Sequence, residues 1–267
     1  MKKLFWLIAV LIILGAAVWL LGNKKPNNEV SPGNQENQQG QEIVLASTST
    51  ISQSDSFYNI KANWPQFAKV DAAFNKKIAD LITGKIDTFK KDAKGTQDAR
   101  NATLQPGEQF SATPTEPFDF IADWAATQVN DKYISFVITM YYFTGGAHGT
   151  NEVDAFNYDV MQKKEITIND FLGGSSQALQ KLSQLSAKTV TSQLQTNGVQ
   201  IDSFLTQMIQ DGTKPTADNY ADFNFTSDSL IIYFQQYQVA PGYIGPLTIT
   251  LSKDVLAQNS ITSNYLQ

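Results

Sequence analysis

The chain has 267 residues, 42% of them hydrophobic and 17% charged, enough for one large domain or two small ones around a substantial core. It contains no cysteine, which excludes disulfides, thiolate metal sites and a cysteine nucleophile. The net charge is −5 and Arg100 is the only arginine, so a nucleic acid, whose phosphates call for clustered Lys and Arg, is excluded as a partner.

In chain order, Leu4 to Gly22 form an uninterrupted apolar run. At 1.5 Å per residue it reaches about 28 Å, close to the hydrocarbon thickness of a bilayer. Trp6 and Trp19 stand near its ends, where aromatic side chains favour the headgroup interface. The run is followed by Asn-Lys-Lys-Pro and not by a small-residue cleavage pattern. Residues 1–25 are therefore expected to be an uncleaved signal anchor, a single transmembrane helix holding the chain at the cell membrane with its bulk extracytoplasmic. Four lysines flank the run, and beyond residue 25 there remain 16 basic against 25 acidic groups, about −9. Residues 26–42, rich in Asn, Gln, Pro and Gly, cannot bury enough surface to offset their ordering and read as a flexible tether.

From Ile43 onward the signals alternate. Phe57–Trp64 has strand character and is cut by Pro65, predicting a strand and then a turn. Phe74, Ile78, Leu81, Ile82, Ile86 and Phe89 recur at three- and four-residue spacing, predicting an amphipathic helix over residues 70–89. Residues 94–116, with two glycines and two prolines, read as a long loop. Three strands are expected over residues 118–129, 133–145 and 152–161, a helix capped by Ser175 or Ser176 over 175–195, and a short helix over 201–210. Strands close the chain at 222–226, 229–235 and 247–251. The fold class is α+β, with the anchor and tether followed by a two-lobed body of mainly antiparallel strands, residues 43–127 and 128–267.

His148 is the only imidazole, and it sits in Tyr-Tyr-Phe-Thr-Gly-Gly-Ala-His-Gly. No serine occupies a nucleophile elbow and no glycine pattern cradles a phosphate. Gly145, Gly146, His148 and Gly149 are read as a structural turn, with the ring nitrogens of His148 bonded to backbone groups. No catalytic residue, metal ligand or cofactor is expected, and no acid pair stands out among the many Asp and Glu. Further along, Tyr233, Tyr237 and Tyr243 interleave with Gln236 and its neighbours on a Pro/Gly-rich stretch. These residues could form a ligand-recognition surface, or a strand and connection whose tyrosines pack; both readings stand.

The stretch from Tyr141 to Asp159, followed by Glu-Ile-Thr-Ile-Asn-Asp-Phe-Leu-Gly-Gly and Ile-Ile-Tyr-Phe-Gln-Gln-Tyr-Gln-Val-Ala-Pro, resembles the outer domain of RsiV-like anti-sigma factors. Residues 43–127 are similar to the N-terminal domain those regulators share with PdaC-type peptidoglycan deacetylases. The resemblance implies, for the RsiV-like group, an outer domain that binds lysozyme and a cytoplasmic segment that holds a sigma factor. For the PdaC-type group it implies a metal-dependent deacetylase following the shared domain. Only Met1, Lys2 and Lys3 precede the apolar run here, so no anti-sigma segment is expected. One histidine does not furnish a deacetylase metal site. The expectation is a membrane-anchored extracytoplasmic binding or sensing module without enzymatic activity, whose partner is a lysozyme-like basic protein or a peptidoglycan fragment. The alternative is an envelope hydrolase acting on peptidoglycan through a carboxylate pair.

Overall fold

A computed structural model describes residues 45–55, 57–103, 118–145 and 148–266. The expected anchor, tether and Gly146 lie outside these residues, and no helix among the described residues is long and apolar enough to cross a membrane. Residues 42–267 form one unit.

Six strands make the larger sheet: β1 (Leu45–Ser54), β2 (Tyr58–Phe67), β3 (Phe118–Val129), β4 (Tyr133–Phe143), β5 (Thr150–Asp159) and β6 (Lys164–Glu165), hydrogen-bonded in that order. All pairs are antiparallel except β2–β3, which run parallel from Tyr58↔Phe118 to Ala62↔Ala122. That pair is joined through helix α1 (Ala72–Asn101), as parallel neighbours need a crossover. β2 does not stop before Pro65 as predicted. Its pairing with β3 ends at Ala62, so at Pro65 it has a partner, Thr48, on one side only. A strand tolerates proline in that situation.

Helix α1 also outruns its predicted end at residue 89. Ala93 continues the buried stripe of Phe74, Ile78, Ile82, Ile86 and Phe89, and Lys94 pairs with Asp98 one turn on. The first third of the expected loop is therefore helix. At the other end, Asp71 makes no capping bond of its own; the Tyr158 hydroxyl accepts from its backbone N–H and donates to its carboxylate, both at 3.2 Å.

α1 covers one face of the sheet, where Phe67, Phe120, Phe136, Phe156 and Tyr158 pack against it in one core. The second core belongs to the rest of the chain: α2 (Ile168–Phe171), α3 (Ser176–Thr196), α4 (Ser203–Gly212), a three-stranded antiparallel sheet of β7 (Phe223–Phe225), β8 (Ser229–Phe234) and β9 (Leu247–Ser252), and α5 (Lys253–Gln258). Ser175 caps α3, accepting from the Ala178 N–H at 3.1 Å. The division expected at residues 127/128 falls inside β3, since the large sheet runs on to Glu165.

β7 lies against the sheet face opposite α1, which is why Ile134 to Ile138 of β4 are buried on both sides. The contact is polar at its centre. Asn224 donates to the carbonyls of Phe136 (2.9 Å) and Phe156 (3.2 Å), Ser135 donates to Asn157 (2.7 Å), and Asn157 donates to the Phe223 carbonyl (2.6 Å). All three side chains are buried.

Candidate functional site

Beyond its short pairing with β6, β5 has no strand on its outer edge among the described residues. Side chains arriving from the second core take the place of one. The Asn151 N–H donates to Gln236 (2.9 Å), the Val153 N–H to Gln235 (3.1 Å), and the Ala155 N–H to the Asp222 carboxylate (3.1 Å). Gln235 returns its amide to the Val153 carbonyl and to Asp222, the latter at 2.7 Å. Gln238 holds the Gly212 and Asn219 carbonyls at 3.0 and 3.1 Å. The glutamines of the Tyr–Gln stretch thus serve backbone.

This arrangement brings Asp222, at the approach to β7, beside Asp154, whose side chain sits on the α1 face of β5. The two carboxylates are half-buried and share a cavity of about 630 Å³ bounded by α1, β5, the Glu165–Ile168 segment and residues 217–222. Burial, and next the Asp222 charge, push the Asp154 carboxyl up to about 6, while Lys85 pulls the other way. Burial also raises Asp222, opposed by the donors it holds from Ala155 and Gln235. Asp222 is therefore the better anion and Asp154 the better acid. Lys85 pairs with Glu152, and Glu152 accepts from the Tyr142 hydroxyl at 2.8 Å. Burial and this acid push Tyr142 up to about 12.

The pair escapes sequence reading. Asp154 and Asp222 lie far apart in the chain, and neither falls in a spacing motif. The only local signal is a polar residue at each point where a strand edge needs a partner.

The residues singled out in sequence land close by. Gly145 has φ +96°, and a side chain there would press on Arg100 and Phe118. A Cβ on Gly149 would lie 2.3 Å from the Tyr141 ring, so a side chain there would displace that ring. His148 is exposed and does not fill a pocket; Nδ1 lies 3.0 Å from the Gly149 carbonyl and Nε2 lies 3.4 Å from the Tyr237 hydroxyl. Tyr237 itself has φ +71°, and its ring covers Gly242, whose carbonyl accepts from Gln236 at 2.8 Å. Tyr237 and Tyr243 are 55% and 84% exposed. Tyr233, on β8, is largely covered; burial raises its phenol, opposed by a hydrogen bond with Thr127.

Residues 51–151 match the family model described as deacetylase PdaC, and residues 169–254 match DUF3298, a protein family of unknown function. The two matches cover separate parts of the chain. It is 24% identical over 260 residues to the peptidoglycan-N-acetylmuramic acid deacetylase PdaC of Bacillus subtilis (strain 168), an alignment covering 96% of this chain. The chain spans 50% of that curated relative's length. Its fold is similar to two crystal structures of DUF3298 family members. The one from Bacteroides fragilis NCTC 9343 is 14% identical, with a TM-score of 0.52 over 84% of this chain and 96% of that one. The one from Pseudomonas aeruginosa PAO1 is 17% identical, with a TM-score of 0.53 over 85% and 98%.

The expectation of a chain without enzymatic activity is corrected by this relative, which is named as an enzyme. That expectation rests on a single histidine and on no acid pair standing out in the chain, and the proximity of two carboxylates is set by the fold and leaves no spacing to read. The metal-dependent chemistry implied by PdaC-type resemblance calls for a converging donor set. Among the described residues no three His, Cys, Asp or Glu side chains could hold a metal ion together. The donors do not fit, and no step is routed through a metal.

Proposed function

We propose that this chain acts on peptidoglycan as a hydrolase, with Asp154 and Asp222 as its acid–base pair. The observation that carries the reading is the meeting of these two carboxylates in one cleft with unequal proton affinities. Two neighbouring acids in a poorly solvated site resist ionising together, so the pair keeps one proton toward neutral pH. The relative's named activity supports an N-acetyl amide as the bond broken. Water attacks the acetyl carbonyl carbon while ionised Asp222 accepts its proton. Asp154 gives its proton to the departing nitrogen, and acetate leaves.

The test is acetate release from purified peptidoglycan fragments by the full chain. Asp154→Asn and Asp222→Asn should each lower the rate by about 10²–10⁴-fold. The rate should also fall as pH rises through about 6, where Asp154 loses its proton. No release by the intact chain, or release indifferent to both substitutions, would overturn the proposal.

A second reading rests on the exposed rings of Tyr237 and Tyr243. In it the chain, held at the cell membrane through Leu4–Gly22 with its body outside, senses a lysozyme-like basic protein or a cell-wall fragment. The acidic body would speed association with a basic partner. Calorimetry with a basic lysozyme at low and high salt checks it. Binding that survives salt and is lost in Tyr237→Ala is expected; attraction that vanishes with salt is only charge.

A further inference from the structure

The Asp154–Asp222 cavity does not end at the pair. It shares Asp80 and Leu81 with a second cavity of about 490 Å³, which shares Lys85 and Glu152 with a third of about 280 Å³ reaching Tyr237. Asp154 also lines the third. The three adjoin one another along α1 and β5, and their shared residues line one stretch of surface, termed the groove. One wall is a single face of α1, which the groove follows from Lys77 to Asp92, about 22 Å at 1.5 Å per residue.

The helix is cut back where it borders this groove. Gly84 sits in mid-helix, where glycine is unfavourable, and a Cβ added to it would meet nothing within 4 Å. Among the described residues no packing calls for glycine here. The position leaves helix backbone open to a neighbour that approaches closely.

The lining also selects. Asp80, Asp92 and Glu152 face Lys85 in the second cavity, so a polyanion is repelled. Leu81 supplies apolar surface, and the Tyr142 ring lines the same cavity. Apolar faces interspersed with polar groups suit sugar rings, and the length of the groove suits several rings in line.

We infer that this groove is an extended binding site for an uncharged linear glycan, crossing Gly84 of α1 and ending at the acid pair. The inference rests on the hydrolase reading for its reacting end only. It makes the protein a reader of strand interiors, whose affinity grows with the number of sugars.

The experiment compares binding of a disaccharide and a hexasaccharide of β-1,4-linked N-acetylglucosamine to the full chain. The hexasaccharide should bind at least about tenfold more tightly. Gly84→Leu and Gly84→Gln, both helix-favouring, should abolish that advantage without changing the far-UV circular dichroism of the chain. Equal affinity for the two sugars, or a length advantage that survives both substitutions, would overturn the inference. Asp154→Asn should keep the length-dependent binding. Length-dependent binding without any acetate release would therefore sink the hydrolase reading and leave the glycan groove standing.

Discussion

Asp154 meets Asp222 with much of its surface withdrawn from water, and its carboxyl is pushed from 3.8 to about 6. The sign of the consequence follows from the direction of that shift. A folded value above the unfolded one means the fold prefers the protonated acid. The contribution to stability is complete below about pH 3.8 and is lost as pH rises through about 6. Asp222 shifts in the same direction. Asp170, held down at about 2 by Thr167 and Lys164, titrates below this window. The urea midpoint should therefore be higher near pH 5 than near pH 7.5, and Asp154→Asn should flatten the difference. Identical pH slopes in the two proteins would count against the coupling. Nothing in the residues around either aspartate marks them as partners. Gly149 reads in sequence as a turn glycine, whereas its neighbourhood is set by the Tyr141 ring lying against it, which the local sequence does not announce.

At the scale of elements, periodicity located β3, β4, β5, α3 and the closing strands well, because each carries a buried face written in apolar residues. It failed where burial is carried by small side chains. Ala93 gives little apolar signal, yet it extends α1 past the predicted end, and Gly95, with open space around it, does not break the helix. β1 was missed for a related reason. Its Ser- and Thr-rich stretch sits at the sheet edge, largely exposed, and its register comes from pairing with β2. The Tyr–Gln stretch was legible as special but not as to purpose. Gln235, Gln236 and Gln238 spend their amides on backbone, while the rings of Tyr237 and Tyr243 are exposed.

At the scale of the molecule, two apolar cores are joined through a polar centre. Asn224 and Asn157 tie β7 to the middle of the large sheet, and Ser135 accepts from the Phe225 N–H at 3.1 Å. Asn224→Leu keeps the volume and strips the donors. It should cost about 1–3 kcal/mol in urea unfolding, since buried partners are left unmatched. A loss below about 0.5 kcal/mol would mean that packing alone holds β7 in place. The side chains that close the outer edge of β5 have a consequence in time as well. The large sheet is contiguous in sequence and complete at Glu165, whereas Asp222, Gln235 and Gln236 come roughly 60–70 residues later. During synthesis at about 5–20 residues per second, the edge therefore stands bare for on the order of 3–15 s. In that interval the nascent chain presents an open strand to any neighbour, and crowded expression is when it should aggregate.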